Sequence, residues 1–307
     1  MDKPGPGRIA VIGADGFVGR RTVAEARAAG HAVLACIGAQ APEGWAGDPG
    51  ITLVARGTTP LPLPGCDALI HAAPPGPEAG LGPLRAALDA GAAKGARLVL
   101  LGSLVVLASG LAPGRVIDES APLESRPERR SAHTRARLAQ EAEARQAAER
   151  GGVPLRILRA GAIYGPGHLW NDHLGIGARG LLLGPRHDGE LPLAWVGHVA
   201  QALVLAATRP MAAAVEVIHV VDDDLPTRAR FLAALALPPR RLPMPWRIPP
   251  AAARALRPLR RGQGELLRPA ELRARLMPLR YDNSRLHALG WQPQISFEAA
   301  MAQAQRD

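Results

Sequence analysis

Short apolar segments alternate along the chain with longer segments in which Ala, Leu, Arg and Glu are mixed. The apolar segments predict strands at 8–12, 31–37, 51–54, 67–71, 97–101, 154–158 and 215–221. The mixed segments favour helix and predict helices up to residue 30 and at 80–94, 130–150 and 196–208. The longest apolar run, 98–107, is too short to cross a membrane and fits a buried strand better.

This alternation predicts an α/β protein. Apolar strands that are separated by helices pair in parallel, and the helices then cover both faces of the sheet. Ligands of such sheets bind at the carboxyl ends of the strands. We therefore expect the functional residues in the segments that directly follow the strands.

A glycine-rich turn follows the first predicted strand and precedes a helix, in the order Gly13-Ala-Asp-Gly16-Phe-Val-Gly19. Gly13 permits the tight turn, Gly16 lets the backbone approach a pyrophosphate, and Gly19 lets the helix pack closely on the strand. The free N–H groups at the start of the helix would bind the anion. The turn predicts a Rossmann-type doubly wound sheet that binds a dinucleotide.

The identity of the dinucleotide stays open at this stage. An acidic residue after the second strand would bind the ribose 2′-hydroxyl of NAD, whereas an arginine would accept the 2′-phosphate of NADP. The chain has Gly38-Ala39-Gln40 there, which is neither signal. Arg20 and Arg21 on the first helix favour NADP slightly.

The formal net charge of +10 is almost entirely arginine, since Lys3 and Lys94 are the only lysines. The arginines are scattered, which favours a solvated surface over a nucleic-acid site; only 254–280 is dense enough to meet a phosphate-bearing ligand. Cys36 and Cys66 lack the spacing of a metal site or a disulfide framework, so we expect buried free thiols. Residues 1–7 lack the features of a signal peptide, and we expect a cytoplasmic protein.

Three further motifs resemble those of the extended short-chain dehydrogenase/reductase family, the group that contains nucleotide-sugar epimerases and dehydratases. Asp67-Ala-Leu-Ile-His-Ala-Ala73 resembles the family's fourth-strand motif, which lines the cofactor. Arg159-Ala-Gly-Ala-Ile-Tyr-Gly-Pro-Gly167 resembles its signature beside the nicotinamide. The tail 282–293, with an Asx/Ser helix start before Leu-Gly-Trp and Pro, resembles the family's terminal segment. With the glycine turn, the resemblance covers nearly the whole chain.

The resemblance implies a Rossmann domain at 1–165, to which 193–221 return, and a smaller C-terminal substrate lobe built from 166–192 and 222–307. It implies NAD or NADP as cofactor, a small-molecule substrate, and a homodimer formed through two long helices of the sheet domain. The residues it assigns to the cofactor are Gly13, Gly16, Phe17, Val18, Gly19, His71, Ala72, Ala73, Arg137 and Ile163.

The family's chemistry rests on a Ser or Thr after the fifth strand and on a Tyr four residues before a Lys. Ser103 fits the first position. His133 stands where the tyrosine is expected, and Arg137 stands where the lysine is expected. By the same resemblance, Tyr164 and Tyr281 take packing positions and do not replace the missing phenol.

A His–Arg pair is chemically coherent. Imidazole has an ordinary pKa of about 6.5, so it can act as acid or base near neutrality without a neighbouring lysine. Arg137 can hydrogen-bond ribose hydroxyls, but it stays charged and cannot relay a proton. Because histidine is shorter than tyrosine, a substrate positioned for a phenol would lie beyond easy reach. Two hypotheses therefore stand: Ser103, His133 and Arg137 are catalytic, or His133 is a helix-surface residue of a protein that binds cofactor without turnover.

Other polar positions also depart from the family pattern. Gly57-Thr58 replaces Gly-Asp after the third strand, and Val196-Gly-His198 replaces Val-x-Asp at a helix start. Residues 165–192 should select the substrate, with candidate groups in 168–173 and 186–188. The histidines and acids of these segments lack the spacing of a closed ligand set, so we expect no metal site.

These observations favour an NAD(P)-dependent oxidoreductase or epimerase/dehydratase that acts on a hydroxyl-bearing substrate, a nucleotide sugar or related carbohydrate. The alternative is a non-catalytic NAD(P)-binding sensor or accessory protein, which the missing tyrosine and lysine support. A nucleic-acid binder is the weakest hypothesis, because the chain has no recognition module and almost no lysine. We expect neither a nucleic-acid nor a membrane partner.

Overall fold

The fold is taken from a computed structural model, which describes residues 7–38, 40–55, 61–75, 81–178, 180–185, 189–247 and 264–306. Its strands are β1 (Arg8–Ile12), β2 (Ala32–Ile37), β3 (Ile51–Ala55), β4 (Ala68–His71), β5 (Arg97–Ser103), β6 (Val116–Ile117), β7 (Leu155–Ala160), β8 (Ala162–Tyr164), β9 (Ile176–Ala178), β10 (Leu181–Pro185), β11 (Leu193–Trp195), β12 (Val215–Val220), β13 (Arg240–Met244) and β14 (Arg280–Tyr281). Its α-helices are α1 (Phe17–Ala28), α2 (Gly82–Ala92), α3 (Ala132–Gly151), α4 (Val196–Thr208), α5 (Arg228–Ala233), α6 (Pro269–Leu276), α7 (Ser284–Ala288) and α8 (Phe297–Ala304).

The strands predicted from the apolar segments form one seven-stranded sheet in the order β12-β7-β5-β4-β1-β2-β3. Every neighbouring pair in this sheet is parallel. The strand order reverses direction between β1 and β4, which is the switch point at which such sheets bind ligands. The prediction of a doubly wound α/β fold is confirmed.

The helices form one layer on each face of the sheet. Val23 of α1 and Leu203 of α4 belong to the apolar core on one face, whereas Leu88 of α2 and Ala147 of α3 belong to the core on the other. Strands that are buried on both faces need mainly apolar residues, which explains the composition of β1, β2, β4 and β5.

The apolar run at 98–107 differs from its prediction in one respect. β5 ends at Ser103, and Leu104–Val106 form a 3₁₀ turn. The chain leaves the sheet there while its side chains stay buried, so apolar character extends beyond the strand. This turn brings Ser103 to the edge of the sheet where ligands bind.

Three smaller sheets lie outside the main sheet: β13-β10-β9, β11-β8 and β14-β6. The first draws its strands from segments that we assigned to the substrate lobe. Trp291 and Phe297, from the end of the same assigned lobe, pack into the core that α1 and α4 share. The division into two lobes stays a prediction.

Candidate functional site

The glycine turn and the end of β4 meet at the switch point of the sheet. Gly13 has a φ of +76°, and a Cβ atom built on it would lie 2.9 Å from the Cα of Ala73. A Cβ on Gly19 would lie 2.0 Å from the carbonyl oxygen of Gly13. No other residue type fits either position without displacing backbone, so the turn passes close to β4 and α1 starts directly above it.

The start of α1 presents backbone donors toward this crevice. Gly16 is the N-cap residue and provides no side chain to cap the helix. The first N–H groups, which belong to Phe17, Val18 and Gly19, therefore have no partner from the helix itself. A helix start of this kind can bind phosphate, which is the role that the glycine turn predicts for it toward the pyrophosphate of a dinucleotide.

Asp15 closes the turn against the end of β2. Its carboxylate accepts a hydrogen bond of 2.9 Å from the backbone N–H of Gly38, and its carbonyl accepts one of 2.8 Å from Nε of Arg20. Gly38, the first residue of the segment predicted to meet the 2′ group of the cofactor, is thus held by the glycine turn. Ala39 of this segment and the predicted departure at 57–58 lie outside the described residues, and the choice between NAD and NADP stays open.

Phe17 lies between the glycine turn and the segment that resembles the nicotinamide signature. Its ring stacks on His168 with centroids 3.9 Å apart and an interplanar angle of 17°. A Cβ on Gly165 would lie 3.0 Å from the Phe17 ring, so this glycine allows the close contact. Ile163, the other predicted cofactor residue here, lies half-buried on β8.

Arg137 lies half-buried at the carboxyl edge of the sheet. Its guanidinium donates hydrogen bonds of 3.0 Å to the carbonyl of Leu101 and 3.2 Å to Oε1 of Gln140, while its Nε is buried without a partner in the described structure. Burial lowers the pKa of Arg137 to about 10, so the group stays charged at neutral pH. No carboxylate forms an ion pair with it among the described residues, so its charge has no described counter-ion.

His71, at the end of β4, lies close enough to Arg137 to sense its charge. Its ring is buried, and its Nδ1 lacks a partner in the part of the chain that the structure describes. Burial, together with the charge of Arg137, lowers the pKa of His71 to about 4. A neutral imidazole and a charged guanidinium with open donor positions are suited to hydrogen-bonding hydroxyl groups of a ligand.

His133 lies one helical turn before Arg137, on the same side of α3. Its side chain is exposed to solvent on the surface of the helix. Partial desolvation by neighbouring protein, followed by the charges of Arg137 and Arg275, lowers the pKa of His133 to about 4. The ring is therefore neutral at pH 7 and is a weak base.

Ser103 is the last residue of β5 and the N-cap of the 3₁₀ turn Leu104–Val106. Its Oγ accepts a long hydrogen bond of 3.4 Å from the backbone N–H of Val105. The hydroxyl hydrogen is free to reach another acceptor, and the side chain is half-buried. Ser103 and Leu101, which holds Arg137, thus share the same strand end.

The amino end of α3 is held by residues that sequence analysis missed. Glu271 of α6, which is 0 % exposed, accepts hydrogen bonds from the backbone N–H and Oγ of Ser131 and from Oγ1 of Thr134. Arg130 and Arg275 pair with the same carboxylate at 2.7 and 2.9 Å. Burial alone would raise the pKa of Glu271, but these two arginines outweigh it and lower the pKa to about 2.

The contact between Ser131 and Glu271 joins residues about 140 positions apart in the chain. Local sequence patterns indicate each partner separately. Ser131 is a recognisable N-cap, and its side chain accepts from the N–H of Thr134. Glu271 and Arg275 have the spacing of a helical ion pair. Neither pattern indicates that one pairs with the other, because local spacing carries no information about tertiary contact.

The candidate metal ligands do not converge. Asp172 pairs with Arg275 at 2.8 Å, and the ring of His173 is 3.3 Å from the carbonyl of Arg275. No cluster of three potential ligands exists among the described residues. Trp170 is 48 % exposed and covers Gly177. The segment 186–188 lies outside the described residues.

Neither tyrosine is suited to acid–base work near neutral pH. Burial and the nearby Asp222 raise the pKa of Tyr164 far above its ordinary value. Burial also raises the pKa of Tyr281. Both phenols stay protonated.

No helix of the described structure combines the length and apolar character needed to span a membrane.

Searches of family models and of curated proteins found no match. Solved structures do match over almost the whole chain. PA4631, a nucleoside-diphosphate-sugar epimerase from Pseudomonas aeruginosa, superposes with a TM-score of 0.71 at 19 % identity, covering 98 % of this chain and 96 % of that one. MoeE5, solved with UDP-glucose and NAD, gives 0.66 at 20 % identity, with 98 % of each chain covered.

The human epimerase family protein SDR39U1, solved with NADPH, gives a TM-score of 0.62 at 20 % identity and covers 98 % of this chain and 100 % of that one. At such identities the likeness establishes the fold. It agrees with the resemblance carried by the motifs: the chain has the Rossmann-type fold of the nucleotide-sugar epimerase structures.

Proposed function

We propose that this protein is an NAD(P)-dependent epimerase/dehydratase or reductase that acts on a hydroxyl of a nucleotide sugar or related carbohydrate. The observation that carries the proposal is the half-buried guanidinium of Arg137, whose Nε is buried without a described partner. It has no carboxylate partner among the described residues, and its charge acts on His71, whose Nδ1 also lacks a described partner. Burying such a cation costs free energy unless a ligand completes its hydrogen bonds.

The cofactor would be held by the glycine turn, with its pyrophosphate at the start of α1 and its nicotinamide ribose at Arg137. The fit rests on Gly13 and Gly19, where a side chain would fill the crevice. When bound, the cofactor supplies the hydride acceptor and donor. The structures of MoeE5 with NAD and SDR39U1 with NADPH support a dinucleotide at this place in the fold.

The chain's own residues would orient the substrate and move its proton. The hydroxyl of Ser103 would hydrogen-bond the reacting oxygen, and the neutral ring of His133 would accept its proton. The charge of Arg137 would stabilise negative charge developing on that oxygen. A nucleotide sugar as substrate is supported by MoeE5, which was solved with UDP-glucose.

The second candidate is a sensor or accessory protein that binds NAD(P) without turnover. The lowered pKa of His133, about 4, favours it. A general base is most effective when its pKa lies near the working pH, so this ring would be a weak base at pH 7.

Two measurements separate the candidates. Titration with NADH and NADPH, followed by nicotinamide fluorescence, tests cofactor binding. A panel of UDP- and dTDP-sugars then tests turnover in the wild type, in His133→Ala, and in the exposed control His287→Ala. We expect binding in all three proteins and a loss of turnover only in His133→Ala. Binding without turnover would favour the sensor, and no binding would refute both candidates.

A double variant sharpens the comparison. His133→Tyr with Arg137→Lys restores the pair that the family uses. If the site is otherwise intact, this variant should gain turnover over the wild type or keep it. If the wild type and the double variant both bind cofactor and neither turns over any sugar, the substrate-binding residues no longer support the reaction.

A further inference from the structure

A second cleft lies outside the cofactor crevice, between the segment that precedes α3 and the outer face of α6. It is open, encloses about 750 Å³, and is lined by Arg126, Arg129, Arg268 and Arg273. Its volume lies in the range of roughly 300–1,000 Å³ that small-molecule sites occupy. The glycine turn, Ser103, His133 and Arg137 are not part of its lining.

Positive charge in this cleft is mostly uncompensated. Arg126 and Arg129 are exposed and form no ion pair with any described residue. Arg273 donates to the carbonyls of Ser109 and Leu111, which are neutral, so its charge also lacks a described counter-ion. Arg268 shares its charge with Glu265 at 2.7 Å.

Glu124 is the acidic residue in the described lining of the cleft, and its carboxylate is already hydrogen-bonded to other groups. The carboxylate of Glu124 accepts from Arg130 and from the backbone N–H groups of Ser109 and Arg126. Burial would raise its pKa, but these hydrogen bonds lower the pKa to about 2. Glu124 thus stabilises the wall of the cleft through these hydrogen bonds. It forms no ion pair with the guanidinium groups of Arg126, Arg129 and Arg273.

Some of these guanidiniums are held in place before any ligand binds. Arg273 is fixed by its two carbonyl acceptors, and its guanidinium carbon lies 5.6 Å from the centre of the Trp246 ring. Arg268 is fixed by the carbonyl of Glu128. A preorganised guanidinium loses less conformational entropy on binding than a free one.

We propose that this arginine cleft binds a small molecule with two phosphate groups, independently of the cofactor crevice. Guanidinium groups pair with phosphate oxygens through parallel hydrogen bonds. Each phosphate group carries about 1.5 to 2 negative charges near neutral pH, so two of them balance three unmatched arginines. The cleft gathers Arg268 and Arg273 from the arginine-dense stretch at 254–280 and joins them to Arg126 and Arg129, which sequence places far away.

The test is calorimetric titration of the full chain with inorganic pyrophosphate, in the presence and absence of saturating NADH. The variant Arg126→Ala/Arg129→Ala removes two unmatched charges from the cleft. The control Arg115→Ala/Arg280→Ala removes two exposed charges elsewhere and keeps the same net charge as the variant. All four side chains are exposed, so both proteins should fold, which their thermal unfolding midpoints would verify.

We expect pyrophosphate binding that persists with NADH, falls at least about ten-fold in the cleft variant, and is unchanged in the control. Absence of binding, an equal loss in both variants, or binding that NADH abolishes would overturn the proposal. Much tighter binding of a single-stranded RNA oligonucleotide than of pyrophosphate, lost in the same cleft variant, would also overturn it and assign the cleft to nucleic acid. None of these outcomes depends on whether the protein turns over its cofactor.

Discussion

The buried imidazole of His198 and the carboxylate of Asp222 are joined by a hydrogen bond of 2.7 Å between Nδ1 and Oδ1. Nε2 of His198 accepts the backbone N–H of Gln294 at 2.9 Å, so the proton is on Nδ1 and His198 donates to Asp222. The same carboxylate accepts the backbone N–H of Trp195, the N-cap residue of α4, at 3.0 Å. The family pattern has an aspartate at the position of His198, near the start of α4. In this chain the carboxylate at that helix start comes from Asp222, which follows β12.

Replacement of Asp222 by alanine should be strongly destabilising. It would leave the N–H of Trp195 and Nδ1–H of His198 buried without acceptors, at a cost of about 3 kcal/mol in the free energy of unfolding. Chemical denaturation would measure this cost. The control Asp224→Ala breaks an exposed pair with Arg230 and should cost less than about 1 kcal/mol. Equal costs would contradict a special role for Asp222.

The Gly19→Ala substitution should weaken cofactor binding. Its Cβ would lie 2.0 Å from the carbonyl oxygen of Gly13, so α1 must move away from the turn that binds the pyrophosphate. We expect at least about ten-fold weaker binding of NADH or NADPH, together with a loss of about 1–3 kcal/mol in stability. Gly82→Ala, where no atom lies within 4 Å of the added Cβ, should change neither.

Arg137 should set the titration of His133. Its positive charge, after burial, is the largest cause of the lowered pKa of His133. Arg137→Gln should therefore move that pKa upward from about 4, and it should stay below 6.5 because burial and Arg275 remain. NMR titration of the imidazole C–H signals would show the change. An unchanged pKa of His133 would show that Arg137 and His133 are not electrostatically coupled. It would count against the proposal that they act as a pair.

Glu271→Gln should loosen the amino end of α3. The amide cannot neutralise Arg130 and Arg275, and breaking a buried ion pair costs about 3–5 kcal/mol. Glu298→Gln, which alters an exposed pair with Arg230, should cost less than about 1 kcal/mol. If the protein proves active, Glu271→Gln should also lower turnover at temperatures where it remains folded, because His133 lies two residues from Ser131.

Acid should destabilise the protein well before its carboxylates are protonated. His219 is buried, and neither ring nitrogen has a described partner. Burial, followed by the charge of Arg159, lowers its pKa to about 4. Between about pH 6.5 and pH 4 the unfolded chain therefore binds a proton that the folded chain does not, and stability falls as pH falls.

His219→Leu should remove this contribution. The variant should be at least as stable as the wild type at pH 7, because two unpaired buried nitrogens disappear. Its stability should decline less steeply, by about 1.4 kcal/mol per pH unit, between pH 6 and pH 4.5. Denaturation curves at several pH values would show the difference. A parallel pH dependence in the two proteins would exclude His219 as the source.

The sheet, its parallel pairing and the glycine turn at its switch point could all be predicted from the amino-acid sequence. Strand and helix periodicity act within a few residues, Gly13 is favoured by its positive φ in the turn, and Gly16 and Gly19 are favoured by contacts with the Gly13 carbonyl in the same turn. The mixed segment at 130–150 indicated the helix that carries His133 and Arg137. These features are local, so a pattern of neighbouring residues is enough to predict them.

The pairing of polar groups from distant parts of the chain became visible only in the folded protein. Asp222 provides the acid for the start of α4, Glu271 holds the start of α3, and Arg126 and Arg129 face Arg273 across a cleft. Each pair is far apart in sequence, and its strength depends on burial and on the presence or absence of a nearby counter-charge. Electrostatic energies depend on position in three dimensions, and residue spacing along the chain does not encode that position.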